Sequence, residues 1–466
     1  MLRAPALSIL IAGCTASAAD VIPPNGDVDC HVDPNNPNSA SCAQRFFWPT
    51  GIAISPDESV LFVADANSDL TYNSGRIDVL DLTKVEEAIT SWTSASHTLG
   101  TGCTKDTDFS ETMICPETPY LDRQASVLTG NFATAVGVQA KDSDGNLRLV
   151  IPVRGDPSIT WIDWVKSGTD RFLQCNGTEV GTYATCDDDH KLTRLRDDSD
   201  PTQPGITDEP FDVFVDSVND FAIVTHLASG SASLVDLPKD GQPSISDAIS
   251  GVFGADPQTG AIGATAVAGR DPGSPDDIVY VGARTEDRIQ TFTVVRPRDQ
   301  PALLQAGDFF FLNTVGSLAG GSRDTRGLAF GSGGDRMYLI NRLPPTLQIY
   351  DTSLGPQGTP KNEGMSAVDI CRDASRLVLA DSGDGDRVYI ACFDDGQVYA
   401  IDPRDGGRVT DVISVGRGPY DLVASPSKKR LYVSNYLENT IAVIDLAPGS
   451  PTRNRVVLRL GEPKKP

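Results

Sequence analysis

Residues 418–446 read GPYDLVASPSKKRLYVSNYLENTIAVIDL, and this stretch decides the fold. It contains three short runs rich in β-branched and aromatic residues, which Pro, Ser, Lys, Asn and Glu separate. Such runs predict short β-strands joined by turns. A fourth apolar run, Arg455–Leu460, follows a turn that contains Pro and Gly. The stretch therefore predicts one unit of four short strands.

The same unit recurs along the chain. Near the N-terminus it reads WPTGIAISP at 48–56, LFVAD at 61–65 and RIDVLDL at 76–82. Five looser copies between these two have the second and third strands Leu149–Val153 with Thr160–Asp163, Ala222–Thr225 with Ala232–Asp236, Val279–Gly282 with Ile289–Phe292, Met337–Asn341 with Leu347–Asp351, and Val388–Ala391 with Val398–Asp402.

Seven units of this kind predict an all-β fold, a seven-bladed β-propeller of four-stranded antiparallel blades. Asp351, Asp402 and Asp445 end three successive third strands, 51 and 43 residues apart. These intervals are close to the roughly 40–50 residues of a four-stranded blade. Earlier intervals are longer because of insertions around 84–125 and 166–207. Because the last unit contains all four of its strands, we expect little strand exchange where the ring closes.

The run Leu431-Tyr432-Val433-Ser434-Asn435 resembles the YVTN-type propeller repeat, with Ser in place of Thr. The family that carries this repeat includes lactonase-like propellers. The resemblance implies a propeller over about residues 45–460, and it is compatible with either a binding module or a hydrolase.

The N-terminus predicts export. Met1-Leu2-Arg3 precedes the apolar run Ala4–Ile11, which is too short to span a membrane. The run Ile11-Ala12-Gly13-Cys14 resembles the lipobox of bacterial lipoproteins, although an ordinary secretory signal that contains a Cys is the alternative. This resemblance implies a signal peptide at 1–13, a palmitate-bearing lipid anchor at Cys14, a tether at 14–44 and the propeller at 45–466. Because Thr15 rather than Asp follows the Cys, it also implies the outer membrane, on an undetermined side.

The remaining eight cysteines form an even set in an exported protein, which predicts structural disulfides in the oxidising periplasm. They fall into pairs that are local in sequence, although eight cysteines allow 105 connectivities. The predicted pairs are Cys30–Cys42, Cys103–Cys115, Cys175–Cys186 and Cys371–Cys392.

Charge and motifs exclude several functions. The net charge of −24 argues against binding to nucleic acid. The sequence contains no Walker loop, HExxH or Ser-His-Asp elbow, and we assign no catalytic residue, metal or cofactor. Asp-rich stretches such as Asp142-Ser-Asp-Gly-Asn146 are typical of hairpin turns, and calcium binding is the alternative.

Four side chains follow second strands and should emerge on one face of the propeller. They are Arg154, His226, Arg284 and Arg342. Each has an ordinary alternative, a solvated charge for each Arg and a capping hydrogen bond for His226. Grouped on one rim, they predict a site for an anionic ligand or an acidic partner. The aromatic residues Trp48, Phe211 and Tyr420 could lie on the same face.

The sequence therefore favours a monomeric, non-catalytic propeller that binds an envelope protein or an anionic ligand. A lactonase-like hydrolase or another propeller enzyme is the alternative. A quinone-dependent dehydrogenase is disfavoured because its tryptophan motifs are absent.

Overall fold

The computed structural model describes residues 45–463 except 169, 180–182, 197–199, 256–259, 276, 299, 313–322, 382 and 384. The predicted signal peptide, Cys14 and the tether with Cys30 and Cys42 lie outside this range. None of the helices in the described residues is long and apolar enough to cross a membrane.

The described chain folds into seven blades, which confirms the predicted fold. Each blade is built on four antiparallel strands in chain order. Blade 1 consists of β1 (Pro49–Ile54), β2 (Val60–Asp65), β3 (Gly75–Asp81) and β6 (Val127–Thr129), and blade 2 consists of β7 (Gly137–Ala140), β8 (Leu147–Val153), β9 (Ser158–Ser167) and β10 (Asp170–Gln174). Blade 3 consists of β13 (Pro210–Asp216), β14 (Phe221–His226), β15 (Ala232–Asp236) and β16 (Ser244–Ile249). Blade 4 consists of β17 (Ala264–Gly269), β18 (Val279–Ala283), β19 (Arg288–Val295) and β20 (Leu303–Phe311).

The last three blades are more regular in length. They are β21 (Arg323–Phe330), β22 (Arg336–Leu343), β23 (Pro345–Asp351) and β24 (Glu363–Asp369); β25 (Ala374–Asp381), β26 (Asp386–Cys392), β27 (Gln397–Asp402) and β28 (Arg408–Ser414); and β29 (Pro419–Ser425), β30 (Arg430–Asn435), β31 (Thr440–Asp445) and β32 (Arg455–Leu460). The first strands of neighbouring blades contact one another around the ring, so these seven strands surround a central channel.

The hydrophobic core is divided into seven clusters, one at each interface between neighbouring blades. A blade in the ring is therefore covered on both faces by its neighbours. This explains why the second and third strands read as nearly continuous apolar runs rather than as an alternation of apolar and polar residues. In β30, Leu431 and Val433 pack toward blade 6, whereas Tyr432 packs toward blade 1.

The insertion around 84–125 lies where the ring closes. It forms α1 (Leu82–Thr93), β4 (Thr104–Lys105) and β5 (Met113–Cys115). Strand β5 pairs in parallel with β32, the last strand of blade 7. The buried face of α1 joins a cluster that also contains residues of blades 1 and 7. Blade 7 keeps all four of its own strands, as predicted, and the insertion extends its edge.

The insertion around 166–207 covers the outer edges of blades 1 and 2. It contains β10, β11 (Ala184–Thr185), a 3₁₀ turn at Asp188–His190, and β12 (Lys191–Leu192). Strand β11 pairs with β6 of blade 1, and β12 pairs with β9 of blade 2. Two further 3₁₀ turns lie at Ser332–Gly334 and Arg404–Gly406.

Three of the predicted disulfides are present in the described residues. They are Cys103–Cys115, Cys175–Cys186 and Cys371–Cys392. Cys371 precedes the first strand of blade 6 and Cys392 ends its second strand, with 5.7 Å between their Cα atoms. Antiparallel pairing brings these two ends together, which is the geometry expected from the sequence.

Hydrogen bonds within the Asp-rich hairpin between β7 and β8 stabilise its turn. Asp142 Oδ1 accepts hydrogen bonds from the backbone N–H groups of Asp144 and Asn146 at 2.9 and 3.1 Å. The Asn146 side chain donates to the second carboxylate oxygen of Asp142 at 2.8 Å. The turn interpretation accounts for these contacts.

Candidate functional site

A β-bulge recurs at the start of the channel-lining strands. Strands β1, β13, β17, β21, β25 and β29 all shift register against their second strands near their first residue. An extra residue at such a point redirects side chains, and bulges are common beside functional sites. The residues at the bulges include Phe211, Arg326, Ser375 and Tyr420, and all four line one pocket.

Hydroxyl side chains tie the bulges of neighbouring blades together. Each donates to a backbone carbonyl of the next blade around the ring, over 2.5–2.8 Å. The pairs are Thr50 to Ala133, Thr134 to Phe211, Thr265 to Thr325, Ser375 to Pro419 and Ser434 to Thr50. The pocket is therefore built on a hydrogen-bonded ring of strands, which is a rigid support for a binding site.

The pocket lies at the mouth of the channel, at the end where second strands finish. Its volume is about 600 Å³, which lies within the range of small-molecule sites. Residues of every blade except blade 4 contribute to its lining, among them Arg154, Glu209, Arg342, Asp373 and Tyr436.

Four guanidinium groups line the pocket, and each lies within 3.2 Å of a carboxylate oxygen. The pairs are Arg154–Glu209 (2.8 Å), Arg326–Asp324 (2.6 Å), Arg342–Asp373 (2.7 Å) and Arg376–Asp212 (3.2 Å). Burial and the neighbouring charge of Arg326 lower the pKa of Arg342, while Asp373 opposes that shift. The pocket thus presents paired donors and acceptors, whereas the sequence suggested a rim of gathered positive charge.

One of these pairs crosses the channel. Arg376 belongs to blade 6 and Asp212 belongs to blade 3, and their side chains are only 11% and 14% exposed. A second carboxylate, Asp421 of blade 7, accepts a hydrogen bond from the backbone N–H of Ile52 in blade 1 at 3.0 Å. Burial raises the pKa of Asp212 and raises that of Asp421 to about 6, although Arg376 lowers both.

An aromatic wall lies on the side of blades 6, 7 and 1. Tyr436 is at its centre, with ring centroids 4.9 Å from Trp48 and 6.0 Å from both Phe393 and Tyr420. On the far side, the Phe211 ring lies 5.3 Å from the guanidinium carbon of Arg376 and 5.8 Å from that of Arg326. These are distances at which a ring and a cation attract each other.

Two of the four predicted rim residues lie in the pocket. Arg154 and Arg342 line it, and Phe211 and Tyr420 do so as well. Arg284 follows β18 at the same end of the propeller but packs over Gly263, outside the pocket lining. The predicted register therefore placed the three arginines at one end, and the structure brings two of them to the same cavity.

His226 belongs to the interior. Its side chain is fully buried, Nδ1 lies 2.9 Å from the carbonyl oxygen of Thr207, and Nε2 lies 2.9 Å from Ser233 Oγ. Burial lowers the pKa of His226 to about 4, so the ring is neutral at physiological pH. The hydrogen-bonding alternative describes His226, and it supplies no charge to the rim.

Arg326, Arg376, Glu209 and Asp373 were not identified from the sequence. Arg326 and Arg376 stand within first strands, where a charged residue would be expected to face solvent. A bulge cannot be read from an apolar pattern, so nothing in the sequence marks their direction. A usable signal was the recurrence of a polar residue two or three places into the first strand, as at Asp212, Arg376 and Asp421.

Comparisons with known proteins support the fold. No family model matches the chain, and no curated protein is detectably similar in sequence. Among solved structures, a protein assigned as a 6-phosphogluconolactonase from Bacteroides fragilis has a TM-score of 0.51 and 13% identity, covering 88% of this chain and 96% of that one. The periplasmic gluconolactonase of Pseudomonas aeruginosa has a TM-score of 0.50 and 16% identity, covering 74% and 92%.

A protein from Lactobacillus plantarum also has a TM-score of 0.50, with 16% identity over 84% of this chain and 95% of that one. At these identities the likeness shows the propeller fold alone. A shared fold does not by itself assign a reaction.

Proposed function

We propose that the pocket binds a small polyhydroxylated acid or its lactone, and that the protein hydrolyses the lactone. The observation that carries this proposal is the set of four arginine–carboxylate pairs beside the aromatic side chains of the same pocket. Guanidinium groups donate to carbonyl and carboxylate oxygens, and carboxylates accept hydrogen bonds from hydroxyl groups. Phe393, Tyr420 and Tyr436 line the pocket, and an aromatic ring can stack against the C–H face of a sugar-like ring.

Lactone hydrolysis needs a base that activates water and a group that stabilises the oxyanion. Glu209 and Asp373 are the carboxylates of the pocket lining, with side chains 35% and 33% exposed. Arg154 and Arg342 hold these carboxylates and lie where they can also donate to a developing oxyanion. Water attacks the carbonyl carbon, the ring C–O bond breaks, and the product is a hydroxy acid that releases one proton.

The names of two structural neighbours support the choice of reaction. The Bacteroides fragilis protein is assigned as a 6-phosphogluconolactonase and the Pseudomonas aeruginosa protein is a gluconolactonase. The proposal narrows the predicted binding partner to a small molecule, because this site is a cavity of about 600 Å³.

The test is proton release from glucono-1,5-lactone by the full-length protein, measured above the spontaneous rate. Glu209→Gln or Asp373→Asn should lower kcat about a hundredfold or more, depending on which carboxylate is the base. Arg154→Ala and Arg342→Ala should lower kcat, because each removes a donor to the developing oxyanion. Arg284→Ala is the matched control, because Arg284 lies at the same end of the propeller outside the pocket lining. If the wild type neither accelerates hydrolysis nor releases heat on titration with gluconate, the proposal is wrong.

We also propose, from the N-terminal sequence, that Cys14 carries a lipid and anchors the propeller to the outer membrane. Triacylation would give stable attachment where a single chain is marginal. An envelope protein as a second partner remains a proposal that the acidic surface allows.

A further inference from the structure

At the floor of the pocket, the Arg376 guanidinium lies near two buried carboxylates, those of Asp212 and Asp421. Arg376 Nη2 lies 3.2 Å from Asp212 Oδ1, and Nη1 donates to the carbonyl of Arg326 over 2.9 Å. Asp421 also lies near enough to Arg376 for the two charges to affect each other's pKa. Arg376 is therefore held by an acid from the opposite side of the channel while its guanidinium still lines the cavity.

The proposed reaction changes the charge of its ligand. A lactone is neutral, whereas the hydroxy acid formed from it is a carboxylate above about pH 4. A buried, unpaired guanidinium binds carboxylates strongly and bidentately. If Arg376 had no partner, the pocket would hold the product more tightly than the substrate, and product release would slow turnover.

We infer that Asp212 is a specificity-determining residue that occupies Arg376 and so keeps the site from retaining the anionic product. This inference rests on the proposed lactone hydrolysis. Asp212 acts through Arg376, since Arg376 lines the cavity and Asp212 lies behind it. The Phe211 ring, next to Asp212 in the chain, fixes the position of the guanidinium from the same blade.

The decisive variant is Asp212→Asn, studied in the full-length protein by calorimetric titration with gluconate at about pH 7.5. Removing the competing carboxylate should tighten gluconate binding about tenfold, the range expected when one charge-assisted hydrogen-bonded partner is released. The product-inhibition constant should fall by the same factor, while KM for the neutral lactone changes less than about threefold. A purely structural role for Asp212 predicts the opposite, weaker binding of both ligands.

Three further variants isolate the effect. Asp411→Asn removes a carboxylate from Arg455, an exposed pair at 3.3 Å on the outer edges of blades 6 and 7, and should leave gluconate affinity unchanged. Arg376→Gln in the Asp212→Asn background should abolish the gain. Asp212→Glu keeps the charge and should retain wild-type affinity.

A measurement on the unmodified protein covers the case in which Asp212→Asn does not fold. Gluconate affinity should rise as pH falls from about 7.5 to 5, because the pKa of Asp212 is raised and that of Asp421 is raised to about 6. The other charged or titratable groups near this floor are Arg154, Arg326 and Tyr420, and Glu209, Arg342 and Asp373 line the same pocket. Burial raises the pKa of Tyr420, so its hydroxyl stays neutral in this range.

The outcomes separate the two proposals. If the wild type hydrolyses the lactone but folded Asp212→Asn binds gluconate no more tightly, the inference about Asp212 is wrong and the function stands. If the wild type does not hydrolyse lactones while Asp212→Asn binds gluconate more tightly, the function is wrong and the selection of ligand charge by Asp212 stands. Affinity that is flat with pH and unchanged in the variant overturns the inference.

Discussion

One position of the repeat, called the slot below, is the residue that ends the second strand in blades 3 and 7. Its side chains are buried, whereas side chains one place further along can reach the pocket. Blade 7 has Asn435 there, and its amide donates to the Val415 carbonyl and to Thr440 Oγ1. Blade 3 has His226, which bonds to Thr207 and Ser233 in the same interior location. The slot therefore serves hydrogen bonding inside the blade, and the next residues along, Arg154 or Arg342, reach the pocket.

The buried His226 should make stability depend on pH. Its pKa falls from an unfolded value near 6.5 to about 4 through burial, so the unfolded chain binds the proton more readily. The free energy of unfolding from this group therefore decreases as pH is lowered from about 6.5 to 4, by on the order of 2 kcal/mol at pH 5. We predict that His226→Asn, the residue of the same slot in blade 7, removes this loss.

The measurement is denaturant unfolding of both proteins at about pH 7 and 5. Glu117, whose pKa burial raises to about 7, contributes a dependence of opposite sign, but it is present in both proteins and cancels in the comparison. An equal decrease in stability for wild type and variant would show that His226 is not the responsible group.

For single residues, the sequence predicts the place in the repeat better than the direction in which the side chain points. The sequence predicts Arg154 and Arg342 because the repeat defines their register, although Arg342 lies within β22 rather than after it. Arg326 and Arg376 were missed because their direction depends on a bulge, which changes which face a residue occupies without changing the residue pattern.

Among the elements, the strands were predicted well and α1 was not. The strands are covered on both faces, so their apolar runs stand out against polar turns. Helix α1 lies in an insertion that the repeat does not describe, yet its buried residues Leu82, Val85, Ile89 and Trp92 have helical spacing. Asp81 ends the third strand of blade 1, and its side chain also caps the helix.

The cap should contribute measurably to stability. Asp81 Oδ1 accepts hydrogen bonds from the backbone N–H groups of Thr83 and Lys84 at 2.9 and 3.2 Å. We predict that Asp81→Ala lowers the free energy of unfolding by about 1 kcal/mol. Lys84→Ala is the control, because its exposed ion pair with Asp81 spans 3.9 Å and should contribute little. Equal effects in urea titrations of the two variants would contradict a capping role.

For the whole molecule, the net charge determines how much membrane attachment would depend on the proposed lipid anchor. A body with a net charge of −24 would not be drawn to an anionic membrane surface, so attachment would depend on the lipid. We predict that Cys14→Ser moves the protein from the outer-membrane fraction to the soluble fraction on cell fractionation. If the variant still sediments with the outer membrane, the anchor is elsewhere.

The ring closes at the interface between blades 1 and 7. Blades 1 and 7 meet through Ser434, which donates to the Thr50 carbonyl, and through the shared apolar cluster that α1 completes. The disulfide Cys103–Cys115 fixes the insertion that carries both α1 and β5. It therefore reinforces the interface between blade 7 and blade 1, the last and first blades of the chain, which no connecting segment joins directly. The disulfide Cys175–Cys186 instead lies in the insertion that precedes blade 3 and packs where the consecutive blades 1 and 2 meet.

These two disulfides form a matched pair, because they close loops of nearly equal length, with sequence separations of 12 and 11. Loop entropy alone predicts equal losses of about 2–4 kcal/mol for Cys103→Ala/Cys115→Ala and Cys175→Ala/Cys186→Ala. If the insertion holds the ring closed, the first double variant should lose more stability, because weakening its contacts exposes the cluster between blades 7 and 1. Hydrogen exchange should then increase in β1 and β31 before it increases in the middle blades. Equal unfolding free energies for the two double variants, with uniform exchange around the ring, would mean that the direct contacts between blades 1 and 7 are sufficient for closure.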